Sequence, residues 1–194
     1  METNERKVIT GEVRLSYTNI WEAHSVNGSE PKYGCAVLIP KTDVKTYEKI
    51  NTAINAAYRD GSAKLKGNAK SVPALAILKT PLRDGDIDRV DDEAFAGCWF
   101  LNANSKQRPG VVDQQRAPIT DQSEIYSGVY ARISITFYAF NTNGNRGIAC
   151  DLGNVQKLRD GKPLAGKSRA EDDFNDNFAN AYTEDGISVD DFLA

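Results

Sequence analysis

The stretch GVYARISITFYAFNTNGNRGIACDLGN, residues 128–154, decides the fold. In its first half, apolar side chains recur at every second position. Because alternate side chains of a β-strand point to opposite faces, this period predicts a long strand with one core face. The positions on the other face carry three aromatic rings and a guanidinium: Tyr130, Arg132, Tyr138 and Phe140.

A tight turn and a second strand follow. Asn143-Gly144 tolerates the positive φ angles that two-residue hairpin turns need. A second strand is predicted from Arg146 to about Leu152, with apolar residues on one face. The stretch as a whole therefore predicts a β-hairpin.

The aromatic face of the first strand has two interpretations. Flat rings beside a guanidinium suit stacking on nucleobases, since every base has a π-face whatever its identity. The same rings would also fit beneath a second layer of the protein. The hairpin alone does not choose between these interpretations.

Charge is distributed unevenly along the 194 residues. All 24 lysines and arginines lie in residues 1–169, with 19 of the 27 acidic residues, so this part has a net charge of +5. The remaining eight acidic residues lie beyond Arg169. A basic body with an acidic tail indicates a polyanionic partner and a tail that resembles one.

Two further strands and one helix are predicted before residue 62. Residues 6–21 predict a strand or strand pair, with Val13, Leu15 and Tyr17 on one face, and residues 32–41 a strand that Pro40 ends. Apolar residues at helical spacing predict a helix from Thr42, which can cap it, to about Arg59.

The middle of the chain is less regular. Residues 62–71 are either a basic loop or a short second helix, and 94–106 predict a strand. Asp84, Asp86 and Asp88 have a spacing that invites a calcium site, but the glycine and glutamate of an EF-hand loop are missing. A solvated loop over 80–93 is the prediction. Val111-Val112 predicts a short strand.

The sequence contains little that indicates catalysis, cofactor binding or metal binding. The single histidine, His24, stands in a polar stretch without a nucleophile motif, and no nucleotide-binding glycine pattern occurs. The three cysteines are widely spaced and predict free thiols. We expect a protein that is not an enzyme and needs no cofactor or metal.

Strands around one clear helix, with one long hairpin, predict a mainly β fold with one or two helices. The best match is the oligonucleotide-binding (OB) fold, a five-stranded Greek-key β-barrel. The helix lies earlier in the chain than is usual for that fold, so an elaborated variant is required. Residues 1–169 would form the domain, and 170–194 a disordered acidic tail.

Several segments resemble the bacteriophage single-stranded DNA-binding proteins that have an OB fold and an acidic tail. They are RLSYTNIWEA, PKYGCAVLIPK, PLRDGD, FLNANSKQRPGVVD and the run from Tyr126 to Gly166. The resemblance covers about residues 8–169. It implies sequence-independent binding of single-stranded DNA in phage replication and recombination, with a tail that contacts other replication proteins.

The candidate contacts follow from residue type and predicted face. Stacking is assigned to Tyr130, Tyr138 and Phe140, with Trp99 or Phe100, and phosphate pairing to Arg132, Lys106, Arg108, Arg116, Lys32 and Lys79. Tyr17, Trp21 and Tyr33 are weaker candidates. A non-enzymatic barrel for another ligand, such as carbohydrate, or a structural interaction protein is the alternative.

The predicted partners are single-stranded DNA and phage or host replication proteins, a polymerase or helicase, which would bind Asp190, Asp191 and Phe192 of the tail. No apolar run reaches the ~20 residues of a membrane span, and the charged N-terminus does not resemble a secretion signal. We therefore expect the cytoplasm of an infected bacterium and no membrane contact. The sequence is compatible with a homodimer but does not determine the oligomeric state.

Overall fold

The computed structural model describes residues 4–164 of the chain. Its elements are β1 (Lys7–Ile9), β2 (Val13–His24), β3 (Lys32–Pro40), α1 (Val44–Asp60), α2 (Ser62–Lys66), β4 (Arg83–Asp84), α3 (Gly85–Asp88), β5 (Cys98–Ser105), β6 (Val111–Val112), β7 (Tyr130–Thr142) and β8 (Asn145–Arg159). The sequence predicts one or two helices; the additional α3 is a single turn within the predicted loop 80–93. The acidic tail predicted for 170–194 lies outside the described residues.

Five of the strands form a ring. β2 pairs antiparallel with β3 and β7, β3 with β5, and β7 with β8. β8 then runs parallel to β5 at Asn104–Asp151, a single register pair that closes the ring only partly. The ring order β2-β3-β5-β8-β7 is that of the OB fold, which confirms the predicted fold class. The short strands β1, β4 and β6 extend its edges.

The interior of the ring is the main hydrophobic core. Along β7, every second side chain from Ala131 to Ala139 is buried, as the period of two predicts. Helix α1 covers one end of the barrel with Ile50 and Ile54, which belong to the same core. These close-packed side chains hold the barrel strands in a fixed register, and their polar neighbours face outward.

Helix α1 begins with a different cap from the one predicted. The Asp43 side chain, not that of Thr42, accepts a hydrogen bond from the backbone N–H of Thr46 at 3.1 Å. Aspartate is as good a cap as threonine, and Asp43 is the residue directly before the first helical turn. The helix lies between the second and third strands of the ring, so the fold is an elaborated OB barrel, as expected.

The β7–β8 hairpin turns at Asn143 and Gly144, whose φ values of 49° and 81° fit the predicted tight turn. Its second strand continues to Arg159 instead of ending near Leu152. The register shifts between Ile133 and Ile135, so Gly153 and its neighbour form a β-bulge rather than a strand end.

Tyr17 does not share a face with Val13 and Leu15. Its φ is 48°, the pairing of β2 with β3 shifts between Ser16 and Asn19, and the tyrosine is 54% exposed. An irregularity of this kind breaks the alternation of side chains, which places Tyr17 outside the barrel. The predicted face is therefore wrong for this residue.

The aspartate-rich loop that follows residue 80 forms ion pairs with a lysine at the end of β3. The ammonium group of Lys41 lies 2.7 Å from carboxylate oxygens of both Asp84 and Asp86. Residues 4–164 contain no group of three or more side chains arranged to bind a metal ion. Within the same range, no helix has the length and apolar character needed to cross a membrane.

Candidate nucleic-acid interface

A second, smaller apolar cluster covers part of the outside of the barrel. Ala36 and Leu38 of β3 and Phe100 of β5 face outward, and Phe95 packs on them. The rings of Phe95 and Phe100 meet edge to face at 5.0 Å, which leaves Phe100 1% exposed. Phe100 therefore has no ring face open to a base, and its predicted stacking role is withdrawn.

Beside this cluster, a cleft of about 750 Å³ opens on the outer face of β5, β7 and β8; we refer to it as the outer cleft. A depression of about 220 Å³ shares Lys32 and Asn104 with it and extends to the β2–β3 loop. The residues that line the outer cleft are Lys32, Thr80, Pro81, Arg83, Asn102, Asn104, Ser105, Lys106, Gln107, Tyr138, Ile148, Ala149, Cys150 and Asp151.

One row of residues runs from the floor of the adjoining depression into the outer cleft. Asn19, Gly34, Asn104 and Asp151 pair successively across β2, β3, β5 and β8, so they share one level of the sheet. A Cβ at Gly34 would lie 2.4 Å from Oδ1 of Asn104, so glycine is needed for the asparagine side chain to lie over β3. The row offers amide and carboxylate groups instead of apolar surface.

Three cations, Lys32, Arg83 and Lys106, also line the outer cleft. Lys106 pairs with Glu30 at 2.6 Å, and Arg83 pairs with Asp88 at 3.0 Å. The hydrogen bond from Lys106 lowers the pKa of Glu30. Exposed ion pairs of this kind contribute little to stability, so both cations can exchange their carboxylate for a phosphate at small cost.

One carboxylate, Asp151, stands among these cations. Desolvation raises its pKa above the ordinary value, and a hydrogen bond from Ser105 opposes part of that rise. Tyr138 pairs with Ala149 across the hairpin and is 40% exposed, so part of its ring faces the cleft. Burial, and to a lesser degree the charge of Asp151, raises the pKa of the Tyr138 hydroxyl. The tyrosine therefore stays neutral and can present a ring edge or face to a ligand.

Three of the predicted contacts, Lys32, Lys106 and Tyr138, come together in the outer cleft. Lys79 lies beside it, since its carbonyl accepts a hydrogen bond from the N–H of Ile148 at 2.8 Å. Phe140 is half-buried opposite Gly147 on the same hairpin. The structure thus gathers candidates from three distant parts of the sequence at one end of the hairpin.

At the opposite end of β7, which we call the closed end, other side chains cover the outward face of the strand. Two guanidinium groups lie over the ring of Tyr130, that of Arg159 at 3.5 Å and that of Arg14 at 5.5 Å from its centre. The Nε of Arg132 donates a hydrogen bond to the carbonyl of Thr10 at 3.1 Å. Neither Tyr130 nor Arg132 lines the outer cleft, although both belong to the predicted binding face.

The remaining residues that were predicted to contact DNA also lie outside the outer cleft. Trp99 packs on the main core, with the ring of Tyr47 at 4.9 Å. Arg108 places its guanidinium 5.2 Å from the ring centre of Trp21, and Arg116 is exposed in the loop after β6. The half-buried Tyr33 completes this group, none of which lines the outer cleft.

Of the fourteen lining residues, sequence reasoning predicted three; the charged and amide residues that it missed on the strands and beside them include Arg83, Asn102, Asn104 and Asp151. A signal existed for the two asparagines, because the run NANS within β5 alternates polar and small apolar residues and so marks an outward polar face. Arg83 and Asp151 lack such a signal, since their position depends on which strands become neighbours.

An OB barrel with a polar cleft rimmed by cations across its outer strands defines a protein of the oligonucleotide-binding class. The family model described as "Enterobacter phage Enc34, ssDNA-binding protein" matches residues 6–187. The chain belongs to this family. The resemblance found in the sequence is thereby confirmed.

Similar proteins support the same assignment. "Putative protein p50" of Acyrthosiphon pisum secondary endosymbiont phage 1 is 31% identical over an alignment of 187 positions, which covers 92% of this chain and 97% of that protein. The single-stranded DNA-binding protein of bacteriophage Enc34, solved in complex with ssDNA, is 25% identical with a TM-score of 0.67, over 82% of this chain and 90% of that one. The gp2.5 single-stranded DNA-binding protein of bacteriophage T7 shares the fold at 13% identity, with a TM-score of 0.61 over 86% and 99%.

Proposed function

We propose that this protein binds single-stranded DNA in the outer cleft, with tolerance of sequence and without catalysis. The observation that carries the proposal is the open cleft itself, which combines cations, amides and an exposed tyrosine ring on an OB barrel. Its family and the Enc34 relative solved with ssDNA support the same ligand. Stacking on Tyr138 and pairing of phosphates with Lys32, Arg83 and Lys106 require no particular base.

The ionic part of this binding makes it sensitive to salt. Each phosphate contact releases condensed counterions, so the logarithm of affinity falls with that of salt by about 0.7 per contact on single strands. Base stacking is less sensitive to salt and continues to discriminate against duplex, whose bases already stack on each other. Lys79, Phe140 and the more distant candidates are assigned supporting contacts at most.

The test is a titration of labelled oligo-dT and of a matched duplex at two salt concentrations. We expect strong preference for the single strand and an affinity that falls as salt rises. Equal affinity for duplex, or an affinity independent of salt, would contradict the proposal. Oligosaccharides added as competitors test the carbohydrate alternative, and light scattering of the free protein tests for a homodimer.

We further propose that residues 1–169 are the binding unit and that the acidic segment 170–194 competes with DNA. Leu164, the last described residue, packs against the outer apolar cluster, which lies beside the outer cleft. A short tether keeps a linked segment at an effective concentration of about millimolar near its site. Eight carboxylates without a basic residue resemble a short anionic strand.

Deletion of residues 171–194 tests this competition. We expect tighter binding to oligo-dT, most clearly at low salt, because screening weakens the attraction of the tail. Unchanged affinity would end the competition proposal and leave DNA binding by the body intact.

The tail is also assigned the recruitment of phage or host replication proteins in the bacterial cytoplasm, with Asp190, Asp191 and Phe192 as the contact. A pull-down with the full chain and with Phe192→Ala tests it. The variant should lose a polymerase or helicase that the full chain retains. Equal recovery by both would contradict the assignment.

A further inference from the structure

A carboxylate on the floor of a DNA-binding cleft needs an explanation. Asp151 repels phosphate, yet it lines the same cleft as Lys32, Arg83 and Lys106. Among residues 4–164, no lysine or arginine forms an ion pair with it. Its charge therefore acts on whatever enters the cleft.

The neighbours of Asp151 suggest which part of a nucleotide it meets. It shares its level of the sheet with Asn19, Gly34 and Asn104, and Asn102 lies two residues before Asn104 on β5. These amides suit the edges of bases, which carry both donors and acceptors. Phosphates are drawn toward the cations, so the bases point to the floor.

The chemistry of a carboxylate restricts which base edges it accepts. An ionised carboxylate only accepts hydrogen bonds, and Ser105 occupies one of about four acceptor positions on Asp151. Cytosine and adenine present exocyclic amino groups, and guanine presents an amino group beside a ring N–H. Thymine has a carbonyl oxygen on each side of its single N–H, and those oxygens repel a carboxylate.

We propose that Asp151 makes the outer cleft favour bases that carry an exocyclic amino group over thymine and uracil. The inference rests on the proposed function, because it assigns a base preference to the same cleft. The protein then binds every single strand, and its affinity depends moderately on base composition. Asp151 is a specificity-determining residue in this assignment, and stacking on Tyr138 supplies the affinity common to all bases.

The test compares oligo-dC with oligo-dU of equal length, because cytosine and uracil differ in the amino or carbonyl group at position 4 and the adjacent ring proton. We expect the full-length protein to bind oligo-dC more tightly by about five- to tenfold, in the lower part of the range for a single base contact. Oligo-dT controls for the methyl group and should behave as oligo-dU.

Asp151→Asn is the decisive variant. Asparagine both donates and accepts, so the ratio of the dC and dU affinities should fall below about twofold, mainly through tighter binding of oligo-dU. Glu48→Gln, which removes one negative charge from the exposed surface of α1, is the matched control and should keep the ratio of the parent protein. A thermal melt of each variant confirms that the comparison is between folded proteins.

Each outcome has a separate meaning. If no single strand binds, the proposed function fails. If all strands bind but dC and dU bind equally in the parent protein, the proposed function stands and the inference about Asp151 is overturned. A dC preference that survives Asp151→Asn also overturns it, because the amino group is then read by another residue.

Discussion

The two ends of strand β7 carry the same kind of residue and meet different surroundings. Tyr138, near the hairpin turn, borders the open outer cleft. Tyr130, eight residues earlier and about 26 Å away at the spacing of a β-strand, lies beneath the guanidinium groups of Arg14 and Arg159. Both side chains point away from the core, as their alternation predicts.

The difference shows that a side chain's face and its accessibility are separate properties. Alternation along a strand determines the face, whereas neighbouring segments determine what covers it. At Tyr130 the cover comes from β2 and from the end of β8, which the sequence places more than 100 and about 30 residues away. Substitutions at each end can therefore separate DNA binding at the open end from stabilisation of the fold at the closed end.

The largest effect is expected at the open end. Tyr138→Ala should weaken binding of oligo-dT by about 1–3 kcal/mol, since base stacking on an aromatic ring contributes that much. Titration measures the loss, and Tyr138→Phe, which keeps the ring, should bind nearly as well as the parent. A lower melting temperature combined with normal binding of the remaining folded protein would show that Tyr138 is a structural residue.

At the closed end, Tyr130→Ala should affect stability instead. Two cation–π contacts of about 0.5–1 kcal/mol each are lost, so we expect unfolding to become easier by roughly 1–2 kcal/mol. Chemical denaturation measures this change, and the affinity for oligo-dT should remain within about twofold of the parent. A large loss of affinity in the folded variant would place the DNA path along the whole of β7.

Cations at the two ends should differ in their contribution to the salt dependence. Lys106→Ala should reduce the slope of log affinity against log salt by about 0.7, the value for one phosphate contact. Arg132→Ala should leave the slope unchanged, because Arg132 lies at the closed end and already donates to Thr10. Titrations of oligo-dT over a salt series measure both slopes. Equal changes in both would contradict the assignment.

The smallest effect concerns an ion pair beside Tyr130. Arg159 donates to both carboxylate oxygens of Glu12, at 2.6 and 3.2 Å, and this lowers the pKa of Glu12 below its ordinary value of 4.5. The pair therefore contributes stability above that value and loses it as pH falls through the lowered pKa. Since both side chains are largely exposed, the contribution is below about 1 kcal/mol.

Glu12→Gln measures that contribution. The variant should melt below the parent at neutral pH and together with it in strong acid, where Glu12 of the parent is protonated. A difference in melting temperature that persists unchanged into strong acid would mean that the charge of Glu12 is not responsible.

Much of the fold could be predicted from local pattern. The period of two in β7, the Asn-Gly turn and the helical spacing before Arg59 each depend on neighbours a few residues away. The OB class followed from the number and order of these elements. β8 is longer than predicted because its pairing with β7 continues past the irregularity at Gly153.

The candidate site could be predicted only in part, because it forms where distant strands meet. Lys32, Lys106 and Tyr138 were predicted from charge and aromatic character and line the outer cleft. Phe100 has the same character, but Phe95 from another segment covers it. The position of Asp151 in the outer cleft could not be predicted, because an acidic residue in a strand does not by itself indicate a DNA-binding surface.

The single register pair that closes the barrel, Asn104–Asp151, has a consequence for dynamics. It joins β5 to β8 beneath the outer cleft, so a ligand that touches both strands bridges the junction of the ring that has the fewest paired residues. Binding then stabilises the pairing of β5 with β8. By linkage, a variant in which this pairing opens more often binds the ligand less tightly. Amide hydrogens along β5 and β8 should exchange with solvent more slowly when DNA is bound, while those of α1 keep their rate.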